Sequence, residues 1–171
     1  MGNNIYLSPN DTAAFGHALR LISESMNNLK DVFQNMLPDV LNRHGLKRML
    51  TELCDLVKKD YQLSTDFNFE GNEKRIDPAY EMAMYEMAVE LISNVIKHAN
   101  ATSLRMQLEQ SENRLVLNVK DNGKGFDATL SAIRNGTGLN KIRTQLISYH
   151  GWLSITSEPG NGAEVVIELN F

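Results

Sequence analysis

The sequence predicts an α+β domain in two layers, with helices on one face of a mixed, mainly antiparallel sheet and a further helix ahead of it. Three observations predict it. Short runs of alternating apolar residues recur, one alone and four in two pairs joined by tight turns. Longer runs with helical spacing lie between those pairs. The 171-residue length suits one domain with an appended helix.

Residues 1–12 are polar, contain Pro9 and read as a loose lead-in. Asn10, Asp11 or Thr12 can cap a helix starting near Ala13. Phe15, Leu19, Ile22, Met26, Leu29 and Phe33 then recur at helical spacing. This narrow stripe suits either a partner helix or docking on the chain's own core. Met36-Leu37-Pro38 ends or kinks that helix. Gly45 precedes a second helical segment from Leu46 to about Lys59, with Leu46, Met49, Leu50, Leu53, Leu56 and Val57 inward. Leu63, Thr65, Phe67 and Phe69 alternate, so residues 62–70 read as a strand. Asp77-Pro78 starts a helix that runs to about Asn100, aspartate as cap and proline in the first position. Strands follow at about 103–109 and 114–120, then a glycine-rich loop over 121–138. A helix from about Leu139 to Tyr149 leads into strands at 152–157 and 163–170, joined by a Pro-Gly-Asn-Gly turn.

Composition removes several function classes. The net charge is −4 and no basic run appears, so a nucleic-acid backbone has no footprint. Cys54 is alone, which excludes a disulfide framework and a cysteine-based metal cluster; it reads as a small buried hydrophobe. No apolar run approaches the roughly 20 residues of a membrane span, and no signal peptide opens the chain. The expected setting is reducing and cytoplasmic, without membrane contact in this stretch.

The polar residues of the 78–100 helix are not scattered. At about 100° per residue, Glu90, Asn94, Lys97 and His98 share one face, while Ala88, Leu91, Ile92, Val95 and Ala99 take the other. A carboxylate, an amide, an ammonium and an imidazole on one side suit a metal–phosphate group; a solvated helix face is the plain alternative. Two glycine pairs follow. Asp121-Asn-Gly123-Lys-Gly125 comes directly after a strand, and Gly136-Thr137-Gly138-Leu139 directly before a helix. Backbone amides at that helix start suit phosphates, and Asp121 is placed to accept from an amino group. A calcium loop is discounted, because its twelfth position is Ala132 rather than glutamate. There is no P-loop, and Gly136 does not follow a strand as in a dinucleotide fold.

The boxes E-L-I-S-N-V-I-K-H-A-N-A-T, D-N-G-K-G-F-D, G-T-G-L-N-K-I-R and S-E-P-G-N-G-A, in this order, resemble the ATP-binding domain of sensor histidine kinases. That domain has the Bergerat fold shared with gyrase, heat-shock chaperone and mismatch-repair ATPases. The spacing is similar to the compact nitrate- and lipid-sensor kinases of two-component systems, and the resemblance covers about residues 44–171. It implies that Asn94 ligates magnesium and that Glu90 polarises the attacking group or orients a metal-bound water. Lys97 and His98 would meet phosphate oxygens or hold a lid. Asp121 would bind the adenine amino group, Gly123 would leave the base room, and Gly125 would turn the chain into the lid. Gly136, Thr137, Gly138 and Leu139 would offer amides to the phosphates. Upstream, residues 13–43 resemble the second helix of a dimerisation hairpin with its linker. The implied partners are ATP, magnesium, a response regulator, the kinase's own phosphoacceptor helix and a second copy joined through the N-terminal helix.

Two departures stand out. Where the family usually has threonine after the last glycine turn, this chain has Ala163. The family's phosphoacceptor histidine is followed by an acidic residue, whereas His17 is followed by Ala18 and His44 by Gly45. The expectation is therefore a catalytic piece without its acceptor, inactive alone. His150 reads as a helix C-terminal residue in a favourable dipole position. A serine/threonine kinase of the anti-sigma type and a non-catalytic nucleotide-binding dimerisation module are the competing readings.

Overall fold

Asp77 caps a helix as its position promised: its carboxylate accepts from the N–H of Ala79 at 2.8 Å, and Pro78 occupies the first turn. The computed structural model describes residues 39–128 and 137–171, and Leu41–Phe171 forms a unit of its own. The helix expected at 13–36, its cap and the lead-in lie outside the described residues.

Residues 39–61 are helical (α1), with Gly45 at a φ of +75° inside the run. The segment just after Pro38, expected as linker, is thus helical too, and it buries Leu41. A left-handed φ is far cheaper for glycine than for other residues. Strand β1 (Ser64–Gly71) follows, then α2 (Pro78–Asn94), which passes directly into a π-helical turn at Val95–Ala99. Asn100, at a φ of +52°, ends it. Strands β2 (Ser103–Gln110) and β3 (Arg114–Asp121), helix α3 (Thr137–Ser148), and strands β4 (Trp152–Ser157) and β5 (Ala163–Asn170) complete the order.

The five strands form one sheet in the order β1-β2-β3-β5-β4. Only β1 and β2 run parallel, which the intervening helix α2 permits; every other pair is antiparallel. One face is apolar: Leu104, Met106, Leu108, Leu115, Leu117, Val119, Val165, Ile167 and Leu169 are buried. The opposite face carries Asn118, Lys120 and Glu164, which bond one another at 2.9 and 3.0 Å. Helices therefore cover one face, as the alternation predicts. Met84, Met87, Ala88, Leu91 and Ile92 of α2 fill the centre of the core. Helix α3 packs on α2 and on β4, and Gln145 donates to Glu86 at 2.9 Å across that seam.

Two details of α1 and α3 sharpen the sequence reading. Leu56, expected inward, is 53% exposed. It projects about 120° from Leu50 on the helical wheel, and buried Cys54 takes a place nearer the core. After α3, the N–H of Gly151 donates to the carbonyl of Leu146 at 2.9 Å. His150 sits between them at a φ of +48°, the left-handed capping position that closes the helix.

Candidate functional site

The polar stripe of α2 faces out of the core as its periodicity requires. Ala88, Leu91, Ile92 and Val95 are buried, whereas Glu90 and Asn94 are half-buried and Lys97 and His98 exposed. Lys97 and His98 lie on the π-helical turn, beyond the end of the α-helix proper. Turns of this kind are wider than α-helical ones and recur at functional sites.

Helix α3 begins against this stripe. A Cβ on Gly138 would collide with the carboxylate of Glu90 and would approach Asn94 Nδ2 to 3.1 Å. The structure thus brings Glu90, Asn94 and Gly138 together, although 44 residues separate Asn94 from Gly138 in the chain. The first backbone amides of a helix have no partner within it, and its start carries partial positive charge. An anion held beside Asn94 would meet that charge. Leu139, also expected at the site, is half-buried in the same first turn. Thr137 opens α3; Gly136 lies outside the described residues.

The first glycine pair is fixed from two sides. Asp121 is buried at the end of central strand β3, in register with Leu104 on β2 and Ala163 on β5. The N–H groups of Gly123 and Ala163 donate to its carboxylate, the former at 2.7 Å. Burial pushes this carboxyl above the ordinary carboxylate range, and those two donors offset the push only in part. Gly123 passes so close to Ala99 that a Cβ would strike the Ala99 carbonyl. Lys124 N–H donates to that same carbonyl at 2.7 Å. Gly125, at a φ of +59°, lies against the Glu158 carbonyl, where a side chain has no room.

Sequence reasoning missed the clamps around this loop. Asn122 accepts from the N–H groups of Thr102 and Ser103, each at 2.9 Å, and donates to the Thr102 hydroxyl at 2.8 Å. It thereby joins the loop to the start of β2. Ser157 accepts from Phe126 N–H at 2.9 Å and donates to the Gly162 carbonyl at 2.8 Å. Both residues sat inside the recognised boxes, but a polar side chain among glycines signals a turn as readily as a clamp. The Ala163 departure also reads differently: its backbone N–H, which any residue but proline would supply, is what meets Asp121.

Comparison with known proteins gives this geometry its setting. Residues 79–171 match the family model described as histidine kinase-, DNA gyrase B-, and HSP90-like ATPase. The chain belongs to this family. Its curated relatives include the signal transduction histidine-protein kinase/phosphatase DegS of Brevibacillus brevis, 23% identical over 88% of this chain and 39% of the relative. The sensor histidine kinase LiaS of Bacillus subtilis is 26% identical over 87% of this chain and 41% of its own length. The chain thus spans about two fifths of the length of these relatives. Among solved structures, the histidine kinase domain of the Erythrobacter litoralis EL346 blue-light activated kinase superposes with a TM-score of 0.58 at 20% identity, over 72% of this chain and 64% of that one. The Acinetobacter baumannii histidine kinase AdeS gives 0.63 at 12% identity, over 98% and 87%. At these identities the structures establish the fold, which is the two-layer Bergerat arrangement expected from the boxes.

Proposed function

We propose that this chain carries the Mg-ATP-binding catalytic domain of a two-component sensor histidine kinase. It would pass the γ-phosphoryl group to a histidine that none of its own four histidines matches. The observation that supports this reading is the meeting of Glu90, Asn94 and the start of α3 at Gly138.

The donor set suits magnesium, a hard cation that takes oxygen ligands and keeps several waters. The Asn94 amide oxygen would hold it, with Glu90 orienting a water or the attacking group. When bound, the ion neutralises charge on the phosphates. The chain's own residues supply the rest. The amides at Thr137–Leu139 would be offered to the phosphates, and Lys97 and His98 would meet phosphate oxygens or hold the lid. Asp121 accepts from the adenine amino group, Gly123 leaves room for the base, and Gly125 lets the loop turn away. Phosphoryl transfer asks mainly for placement and charge neutralisation, which is what such an arrangement offers.

The proposed partners follow from this role: the phosphoacceptor helix of the same kinase, a response regulator, and a second copy joined through residues 13–43. No helix among the described residues is long and apolar enough to cross a membrane, and the proposed setting is the cytoplasm. Titration calorimetry with ATP or ADP, with and without magnesium, tests the reading. Magnesium-dependent binding supports it; no heat of binding at millimolar nucleotide overturns it.

A further inference from the structure

Arg75 lies between β1 and α2, far in sequence from every glycine box. Its guanidinium forks onto one carboxylate: Nε donates to Glu81 Oε1 at 2.8 Å and Nη2 to Oε2 at 2.7 Å. The same group reaches the opposite way. Nη1 donates to the Asn42 carbonyl at 2.7 Å and Nη2 to the Leu41 carbonyl at 3.2 Å. Leu41 and Asn42 belong to the helical turn just ahead of Gly45, whose φ is +75°. A side chain from another element thus donates to two carbonyls of this helical turn.

Glu81 is only 3% exposed, so its charge needs this partner. The planar fork fits two carbonyls and one carboxylate at once, which a lysine ammonium cannot reproduce with the same geometry. A cleft of about 520 Å³, lined in part by His44, Gly45, Arg75 and Glu81, opens beside the cluster. Glu81 stands in the first turn of α2, and Asn94 closes its last. The two lie about 20 Å apart along one helix.

We propose that Arg75 and Glu81 form a latch. It fixes the turn at residues 41–44, on the far side of Gly45 from the rest of α1, to the near end of the helix whose far end carries Glu90 and Asn94. Arg75 is a positioning residue: it lies away from Glu90 and Asn94 and holds residues 41–44 against the start of α2. The proposal rests on the nucleotide reading only for what binds at the far end of α2.

Paired nitroxide labels at Arg43→Cys and Lys58→Cys, two exposed positions on either side of Gly45, report the placement of residues 41–44 relative to the rest of α1 as a distance distribution. The parent chain gives one narrow distribution. Arg75→Gln broadens it about twofold, as expected of a freed hinge, and Arg75→Lys gives an intermediate width. Nucleotide affinity in each variant stays within about twofold of the parent, because the two sites share no partner. An unchanged width in a folded Arg75→Gln chain overturns the latch. If that variant does not fold, an unchanged width in Arg75→Lys does so. A width that changes only together with lost nucleotide affinity also overturns it, since that is general damage. Absence of nucleotide binding in the parent sinks the functional reading instead, and the width comparison stands on its own.

Discussion

The backbone N–H of Lys124 donates to the carbonyl of Ala99 at 2.7 Å. The loop after β3 is thereby tied to the end of the helical rod that carries Glu90 and Asn94. Gly123 makes this approach possible, because a side chain there would occupy the space of the Ala99 carbonyl. Gly123→Ala should cost about 1–3 kcal/mol through overpacking and weaken nucleotide binding at least about tenfold, since that cost falls on one wall of the site. Thermal melting and calorimetry on the same sample measure the two effects.

Asn94→Ala should remove the increment in ATP affinity that magnesium provides and leave metal-free binding nearly unchanged. Glu90→Gln should behave differently, binding Mg-ATP while losing most transfer to a supplied acceptor helix. Calorimetry and a phosphotransfer assay run side by side separate the roles. Equal magnesium dependence in parent and Asn94→Ala would remove Asn94 from the metal.

The raised Asp121 carboxyl makes a pH prediction whose sign can be worked out. Its folded value lies above its unfolded one, so the folded chain holds the extra proton between the two, and stability falls as pH rises through that interval. Above the folded value the ionised group is a standing cost to the fold. An adenine amino group favours the ionised form, so nucleotide binding should release a proton under mildly acidic conditions and none at pH well above the carboxylate range. Calorimetry in buffers of different ionisation enthalpy reads this directly. Asp121→Asn should abolish the release and weaken ATP by roughly 10- to 100-fold, the range for a hydrogen bond to a charged group.

Cys54 should be inert in the native chain. Burial, with Asp55 and Asp66 nearby, pushes its thiol up to about 11, and the thiolate is the reactive species. An aromatic disulfide reagent at pH 8 should label it only after denaturation. Rapid labelling of the folded protein would show that α1 opens away from the sheet.

Much of this architecture was legible because it follows local periodicity. Glu90 and Asn94 share a face by spacing alone, and Asp77-Pro78 announces the start of their helix. What escaped was non-local or too subtle for composition. The parallel pairing of β1 with β2 depends on partners 39 residues apart, as in Ser64 with Ser103. The π-helical turn at Val95–Ala99 differs from α-helix by one step in hydrogen-bond register, and Val-Ile-Lys-His-Ala carries no mark of it. Gly138 was legible as a residue that permits close approach; that the approach is to Glu90 was not. Asn122 and Ser157 were legible as turn formers, but their partners lie on other elements.

Positions 90 and 138 compete for the same few cubic ångströms. Their identities are therefore coupled: a methyl group at 138 is compatible with the site only if the acid at 90 is shortened or displaced. Gly138→Ala alone should act as a lesion in Glu90, and pairing it with Glu90→Asp should return the space while moving the carboxylate back by one methylene. In a relative of this chain with a larger residue at the second position, the first should therefore be shorter than glutamate or carry its carboxylate away from the helix start.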